Sequence, residues 1–206
     1  MRPTWLVLFF CAGLALSQTS IPALPAIGRT IPSRYDLFDG RWWTTAVDGE
    51  REGYVNGFQD CYRYDVKGAR ATEGWTIRDY VEAVDSYYQQ HPSERRSSLL
   101  SVLSGINTQG PPRAVPKGGE TWNEAHGYYD GTWWRGGDVR EQLGFIEGYL
   151  SCHAHYVAGK TGVTFSKPPS EYRALIDTYM AGSSRRDDEK LASILSRFQD
   201  QPARKK

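Results

Sequence analysis

The chain has 206 residues, of which 25 are Lys or Arg and 24 are Asp or Glu, so its formal net charge at pH 7 is +1. Proteins that bind nucleic acid usually carry a basic excess or patch, because neutralising phosphates dominates their affinity. The balanced charge argues against nucleic acid as a partner, since the basic cluster of this sequence is only the short C-terminal run at residues 204–206.

The N-terminus has the pattern of a cleaved signal peptide. Arg2 precedes an uncharged apolar run at residues 5–16, which suits the core of a signal peptide and is too short to span a bilayer. A small-x-small site ends at Ser17, so we expect cleavage there and a periplasmic or secreted mature chain without a membrane span. Cys11 follows Phe10 rather than a small residue, which disfavours a lipoprotein.

An internal repeat is the clearest feature of the sequence. The motif Asp-Gly-x-Trp-Trp at residues 39–43 recurs at 130–134, and the alignment continues at an offset of 91 without a gap to Cys61 and Cys152. Eight of these 23 aligned positions are identical, whereas unrelated segments would share about one or two. The sequence therefore indicates a tandem duplication.

The repeat divides the chain into segments. After one inserted residue, an offset of 92 continues the alignment to the end of each copy. We expect repeat units at residues 34–106 and 125–198, joined by a Gly/Pro-rich linker at 107–124. The remaining predicted segments are the signal peptide at 1–17, a Pro-rich linker at 18–33 and a polar tail at 199–206.

Each unit is predicted to contain three helices and no strand, which makes the protein all-α. In the first unit, Asp48 can cap a first helix that runs to about residue 64, with apolar residues at helical spacing. Thr76 and Asp79 resemble a capping box that opens the second helix, which the His-Pro pair at 91–92 ends. The third helix is predicted at residues 93–106.

The two units are expected to pack about a pseudo-twofold axis, because a unit of about 70 residues buries only a thin core alone. Gly53 and Gly57 flatten one side of the first helix, which predicts a groove where another helix packs closely. If the equivalent helices face each other, Cys61 and Cys152 come close enough to form a disulfide, as suits an exported chain. The alternative is that both are buried free cysteines.

Residue types that bind metals cluster around the second cysteine. They are His126, Cys152, His153 and His155. Positions 153 and 155 lie on different sides of a helix, and a cysteine in a disulfide cannot bind a metal. We therefore expect no metal site and no cofactor.

Two pairs of carboxylates recur in the repeat, Glu50 with Glu141 and Asp85 with Asp177. Such pairs can carry out acid–base catalysis. The alternative is structural, because the glutamates fall in a first helical turn, where negative charge is favourable, and the aspartates fit a solvated helix face. No nucleophile–base motif accompanies them, so we expect that the protein is not an enzyme and assign no catalytic residue.

The tryptophan pairs are the candidate binding residues. Trp42 with Trp43, and Trp133 with Trp134, are predicted just before the first helix of each unit, after an Asp-Gly turn. In one interpretation, one ring of each pair anchors the core. In the other, the second ring stays exposed as a platform for a partner, since tryptophan is frequent at interface hot spots.

One stretch of the first unit carries a family resemblance. Gly-Tyr-Val-x-Gly-x-x-Asp at residues 53–60 is followed by a helix that begins at Thr76 and ends in His-Pro at 91–92. This pattern resembles the Rap/Tai group of small periplasmic helical proteins, which are immunity proteins against amidase toxins delivered by type VI secretion. The resemblance covers about residues 50–104 and is fainter in 141–196. It implies a helical fold and inhibition of a cell-wall amidase.

The sequence thus favours an exported, non-catalytic binding protein whose partner is another protein of the cell envelope, with an immunity-like inhibitor as its most specific form. The alternative is an envelope-associated enzyme or a small-molecule binder that uses a Trp-lined cleft between the two repeats. The identity of the partner and the oligomeric state stay open at this stage.

Overall fold

The computed structural model describes residues 38–66, 75–109, 129–182 and 186–200, and these segments form an all-α fold. Backbone pairing of the β type is limited there to isolated bridges. The all-α prediction is confirmed. The predicted signal peptide, the linker at 18–33 and most of the linker at 107–124 and of the tail at 199–206 lie outside the described residues.

The described segments contain nine α-helices and one turn of 3-10 helix at Pro92–Glu94. The α-helices are α1 (Gly40–Thr45), α2 (Asp48–Tyr64), α3 (Ile77–Gln90), α4 (Leu99–Gln109), α5 (Gly131–Gly136), α6 (Val139–Tyr156), α7 (Ala158–Thr161), α8 (Pro169–Ala181) and α9 (Leu191–Ser196). Within the described chain, α3 packs on α2 and α4 on α3, while α8 packs on α6 and α9 on α8.

Several predicted helix ends agree with the structure. Helix α2 ends at Tyr64 as predicted, but its N-cap is Val47, and the predicted cap Asp48 is its first residue. The capping box of α3 is present. The Thr76 amide donates to Asp79 Oδ2 at 2.8 Å, and the Asp79 amide donates to Thr76 Oγ1 at 3.2 Å. Helix α3 ends at Gln90, directly before the His-Pro pair.

The segments that hold the tryptophan pairs are helices rather than turns, which corrects the prediction. Helices α1 and α5 begin directly after Asp39 and Asp130. The Asp39 carboxylate accepts hydrogen bonds from the backbone amides of Arg41 at 2.9 Å and Trp42 at 3.2 Å, and Asp130 accepts one from the Trp133 amide at 3.1 Å. Each aspartate is therefore the N-cap of a short helix.

The third helix of the first unit begins later than predicted. It starts at Leu99 rather than at residue 93, because Pro92 opens the 3-10 turn and the chain then forms a bridge between Ser98 and Asp39. The Leu99 amide donates to the Phe38 carbonyl at 2.9 Å. This bond ties the start of α4 to the residue just before the N-cap of α1.

The closest packing in the fold is the crossing of α2 with α6, the equivalent helices of the two repeats. A Cβ at Gly57 would overlap the Phe145 carbonyl oxygen and lie 2.8 Å from the Tyr149 amide nitrogen. A Cβ at Gly148 would overlap the Tyr54 carbonyl oxygen in the same way. The two backbones therefore touch, as the glycine spacing in the sequence predicted.

The contacts of the crossing are reciprocal. A Cβ at Gly53 would overlap the Glu141 carbonyl oxygen, and a Cβ at Gly144 would overlap that of Glu50. Positions 141 and 144 are the repeat equivalents of positions 50 and 53. Such exchange of equivalent contacts is the pattern that a twofold relation produces.

In the structure, Cys61 and Cys152 are joined by a disulfide between the two crossing helices, as the first of the two interpretations predicted. The two Cα atoms are 6.0 Å apart, and both residues are fully buried. The bond closes a loop with a sequence separation of 91. On the chain-entropy account, such a loop contributes about 4–5 kcal/mol to the free energy of unfolding.

We expect Gly148→Ala to lower the free energy of unfolding by about 3 kcal/mol or more, because the new methyl group forces the two helix backbones apart. Gly159→Ala on α7 is the matched control, since a Cβ there would meet nothing within 4 Å. The control should be neutral or slightly stabilising, because alanine favours helix over glycine. Equal stability of the two variants in chemical denaturation would contradict the close crossing.

Candidate functional site

The second tryptophan of each pair is part of the core. Trp43 is 1% exposed and Trp134 is 2% exposed. The Trp43 indole N–H donates to Asp85 Oδ1 at 2.6 Å, and that of Trp134 donates to Asp177 Oδ1 at 2.8 Å. Each aspartate supplies the acceptor that lets a polar indole be buried, so Trp43 and Trp134 are the rings that anchor the core.

The two aspartates each serve their own unit rather than a shared acid–base site. In the first unit, Arg51 Nη1 lies 3.5 Å from Asp85 Oδ1. In the second unit, the position of Arg51 is Gln142, and the cation comes instead from Arg173 on α8, 3.6 Å from Asp177 Oδ2. The repeated Asp is thus explained by its indole partner and a neighbouring arginine, and nothing brings the two carboxylates together.

The first tryptophan of each pair keeps part of its surface in solvent. Trp42 is half-buried and packs against Phe38 and Tyr54, with ring centroids 4.8 and 5.4 Å away. Trp133 is also half-buried and packs against the equivalent rings of its own unit, at 4.9 and 6.1 Å. Of the four candidate binding residues, Trp42 and Trp133 are therefore the ones that a partner can reach.

Carboxylates gather at the N-terminal half of the α2–α6 crossing. Glu50 and Glu141 lie in the first turns of α2 and α6, as predicted. Burial raises the pKa of Glu141, and the charges of Glu52 and Asp138 raise it further. The charge of Glu52 thus acts across the helix interface.

Two further glutamates of this cluster have raised pKa values. Burial, followed by the charge of Asp48, raises the pKa of Glu52, and Arg78 on α3 acts in the opposite direction. Burial and the charge of Glu50 raise the pKa of Glu147 to about 7. The cluster holds more negative charge than the nearby cation balances. Neither Glu52 nor Glu147 was a candidate residue in the sequence analysis.

A second set of polar residues is buried beneath the helices. Asn56 is fully buried on α2, and its amide donates to the Tyr129 hydroxyl. Gln59 and Asn107 are buried and joined by two amide hydrogen bonds of 3.0 and 3.3 Å, and the Tyr80 hydroxyl donates to Asn107 Oδ1 at 3.0 Å. These partners are far apart in sequence, so helical periodicity could not reveal them.

The residues considered as metal ligands do not come together in the described chain. Cys152 is in the disulfide, and His126 lies outside the described residues. Burial lowers the pKa of His153, against the opposing charge of Asp65, so the ring is neutral at pH 7. The described segments contain no group of three or more His, Cys, Asp or Glu side chains placed to hold a metal ion.

Two further findings concern the chain as a whole. No helix in the described part of the chain is both long and apolar enough to cross a bilayer. No family model, curated protein or solved structure matches the chain. The resemblance to the Rap/Tai group therefore rests on the motif at residues 53–60 and 76–92 alone.

We expect Trp43→Phe to lower the free energy of unfolding by about 2 kcal/mol, because it removes a buried indole N–H and shrinks a packed ring. Trp42→Phe is the matched control, since it makes the same change at the half-buried neighbour and should cost clearly less. Urea denaturation at neutral pH measures both. A greater loss for Trp42→Phe would show that the roles of the two rings are reversed.

Proposed function

We propose that the protein is an exported, non-catalytic binding protein whose partner is another protein of the cell envelope. The most specific form of this proposal is that the protein inhibits a cell-wall amidase, as the resemblance to the Rap/Tai group implies. The signal-peptide pattern supports export, and so does the disulfide, because disulfides persist in oxidising compartments.

The closed α2–α6 crossing is the observation that carries this proposal. The alternative function needs a cleft between the repeats, where a substrate or small ligand would meet the tryptophans. At the four glycines the two backbones touch, and each tryptophan pair packs within its own unit. A filled interface of this kind favours recognition on the outer surface, which suits a protein partner better than a small molecule.

Trp42 and Trp133 are the proposed anchors for the partner. Tryptophan is frequent among residues that dominate protein interfaces. Each of these residues is followed in sequence by the buried tryptophan of its pair. It can therefore be replaced without removing Trp43 or Trp134 from the core. The duplication would present this anchor twice.

We expect the double variant Trp42→Ala, Trp133→Ala to stay folded and to bind the partner at least about 30-fold more weakly, which corresponds to the loss of about 2 kcal/mol at a hot spot. The partner is the protein that the mature wild-type chain captures from an envelope extract, and affinity is then measured with the purified pair. Tyr64→Ala is the control, because Tyr64 is an aromatic residue that is 50% exposed and lies outside both tryptophan pairs.

Two outcomes would contradict the proposal. Unchanged affinity of the double variant, with a native circular dichroism spectrum, would remove the tryptophans from the interface. Turnover of a peptidoglycan fragment or an ester by the wild-type chain would favour the enzyme alternative. If the captured protein is an amidase, inhibition of its activity by the wild-type chain tests the most specific form of the proposal.

A further inference from the structure

The two halves of the α2–α6 crossing differ at one pair of equivalent positions, 56 and 147. Asn56 on α2 is fully buried, and its amide donates to the hydroxyl of Tyr129. Its repeat equivalent on α6 is Glu147, and the equivalent of Tyr129 is Phe38. The amide of Asn56 and the phenol of Tyr129 are therefore replaced, at the equivalent place, by the carboxyl of Glu147 and the phenyl ring of Phe38.

The aromatic rings at these two places contact equivalent neighbours at different inclinations. Phe38 lies 4.8 and 5.1 Å from the rings of Trp42 and Tyr54, at 86° and 52° to them. Tyr129 lies 4.9 and 5.8 Å from the equivalent rings of its own unit, at 60° and 15°. Phe38 offers Glu147 no hydrogen-bond donor.

The close crossing holds Glu147 against the other helix. It lies on α6 between Gly144 and Gly148, whose backbone touches α2 at Glu50 and Tyr54. Glu147 is partly buried, and among the described residues its carboxyl has no hydrogen bond or ion pair. Burial and the charge of Glu50 raise the pKa of Glu147 to about 7.

The surrounding charged groups do not neutralise this pair. Glu50 accepts a hydrogen bond from the Val47 amide at 3.2 Å, which holds its carboxylate at the N-terminus of α2. The other charged groups of the cluster are Glu52, Glu141, Asp48, Asp138 and Arg78. The one cation in that set, Arg78, acts on Glu52.

We propose that Glu147 and Glu50 form a proton-controlled switch at the α2–α6 crossing, which takes up one proton on mild acidification and is more stable in the protonated form. The unfolded-state pKa of a glutamate is about 4.3, whereas Glu147 titrates near 7 in the fold. Its stabilising contribution is therefore fully present below the unfolded pKa and is lost as the pH rises through about 7.

His153 acts in the opposite direction and must be separated from the switch. Burial lowers its pKa, so its stabilising contribution is present at neutral pH and is lost as the pH falls from about 6.5, the unfolded value. The raised pKa values of Glu52 and Glu141 contribute as well, so the pH dependence of the wild-type chain alone mixes several effects. A variant at position 147 retains His153, so the difference in melting temperature between variant and wild type reports the effect of Glu147.

The test compares the melting temperature of Glu147→Gln with that of the wild-type chain at about pH 5 and pH 8, with the disulfide intact. Glutamine keeps the size of the side chain and removes its charge. We expect closely similar melting temperatures at the lower pH and a melting temperature about 5 °C higher for the variant at the higher pH. Glu171→Gln is the control, because Glu171 is an exposed glutamate on α8. The difference in melting temperature between this variant and the wild-type chain should be the same at both pH values.

A further measurement keeps the test independent of one variant. Carbon-13 NMR of the glutamate carboxyls in the wild-type chain should show one group with a midpoint near 7. Parallel melting curves for Glu147→Gln and wild type, or midpoints below about 5.5 for every glutamate, would overturn the proposal.

Discussion

The backbone contact between α2 and α6 is the constraint on which the rest of the structure depends. Glycine at positions 53, 57, 144 and 148 lets the two helices approach more closely than any side chain allows. Cys61 and Cys152 continue the same four-residue spacing, so they lie on the same stripe of each helix and meet where the stripes meet. The contact also places the first turns of α2 and α6 side by side, and the glutamates there belong to the acidic cluster.

The repeated Asp-Gly-x-Trp-Trp motif has a structural explanation in both copies. The aspartate is the N-cap of a short helix. The glycine leaves room for a neighbouring side chain, since a Cβ at Gly40 would lie 2.6 Å from the Tyr88 ring. The second tryptophan is buried and donates to an aspartate. Only the first tryptophan of each pair keeps part of its surface in solvent, so it is the one available to the proposed partner.

The parts of the fold that the sequence predicted are those with local or repeated signals. The C-terminal end of α2 and the capping box at Thr76 follow from neighbouring residues, and the disulfide follows from two cysteines at one repeat position. The orientation of Trp42 and Trp43 could not be predicted, because it depends on a short capped helix and on Asp85, 42 residues away. The raised pKa of Glu147 likewise depends on a distant helix, so its own neighbours in sequence give no sign of it.

Hydrogen exchange of the backbone amides tests the central contact most directly. If α2 and α6 form one closed unit, the amides of residues 53–61 and 144–152 should exchange only through global unfolding, with equal free energies of opening that match the denaturant-derived free energy of unfolding. Exchange of one helix through a lower-energy opening, while the other stays protected, would show that the two helices separate in the native state and would contradict the account.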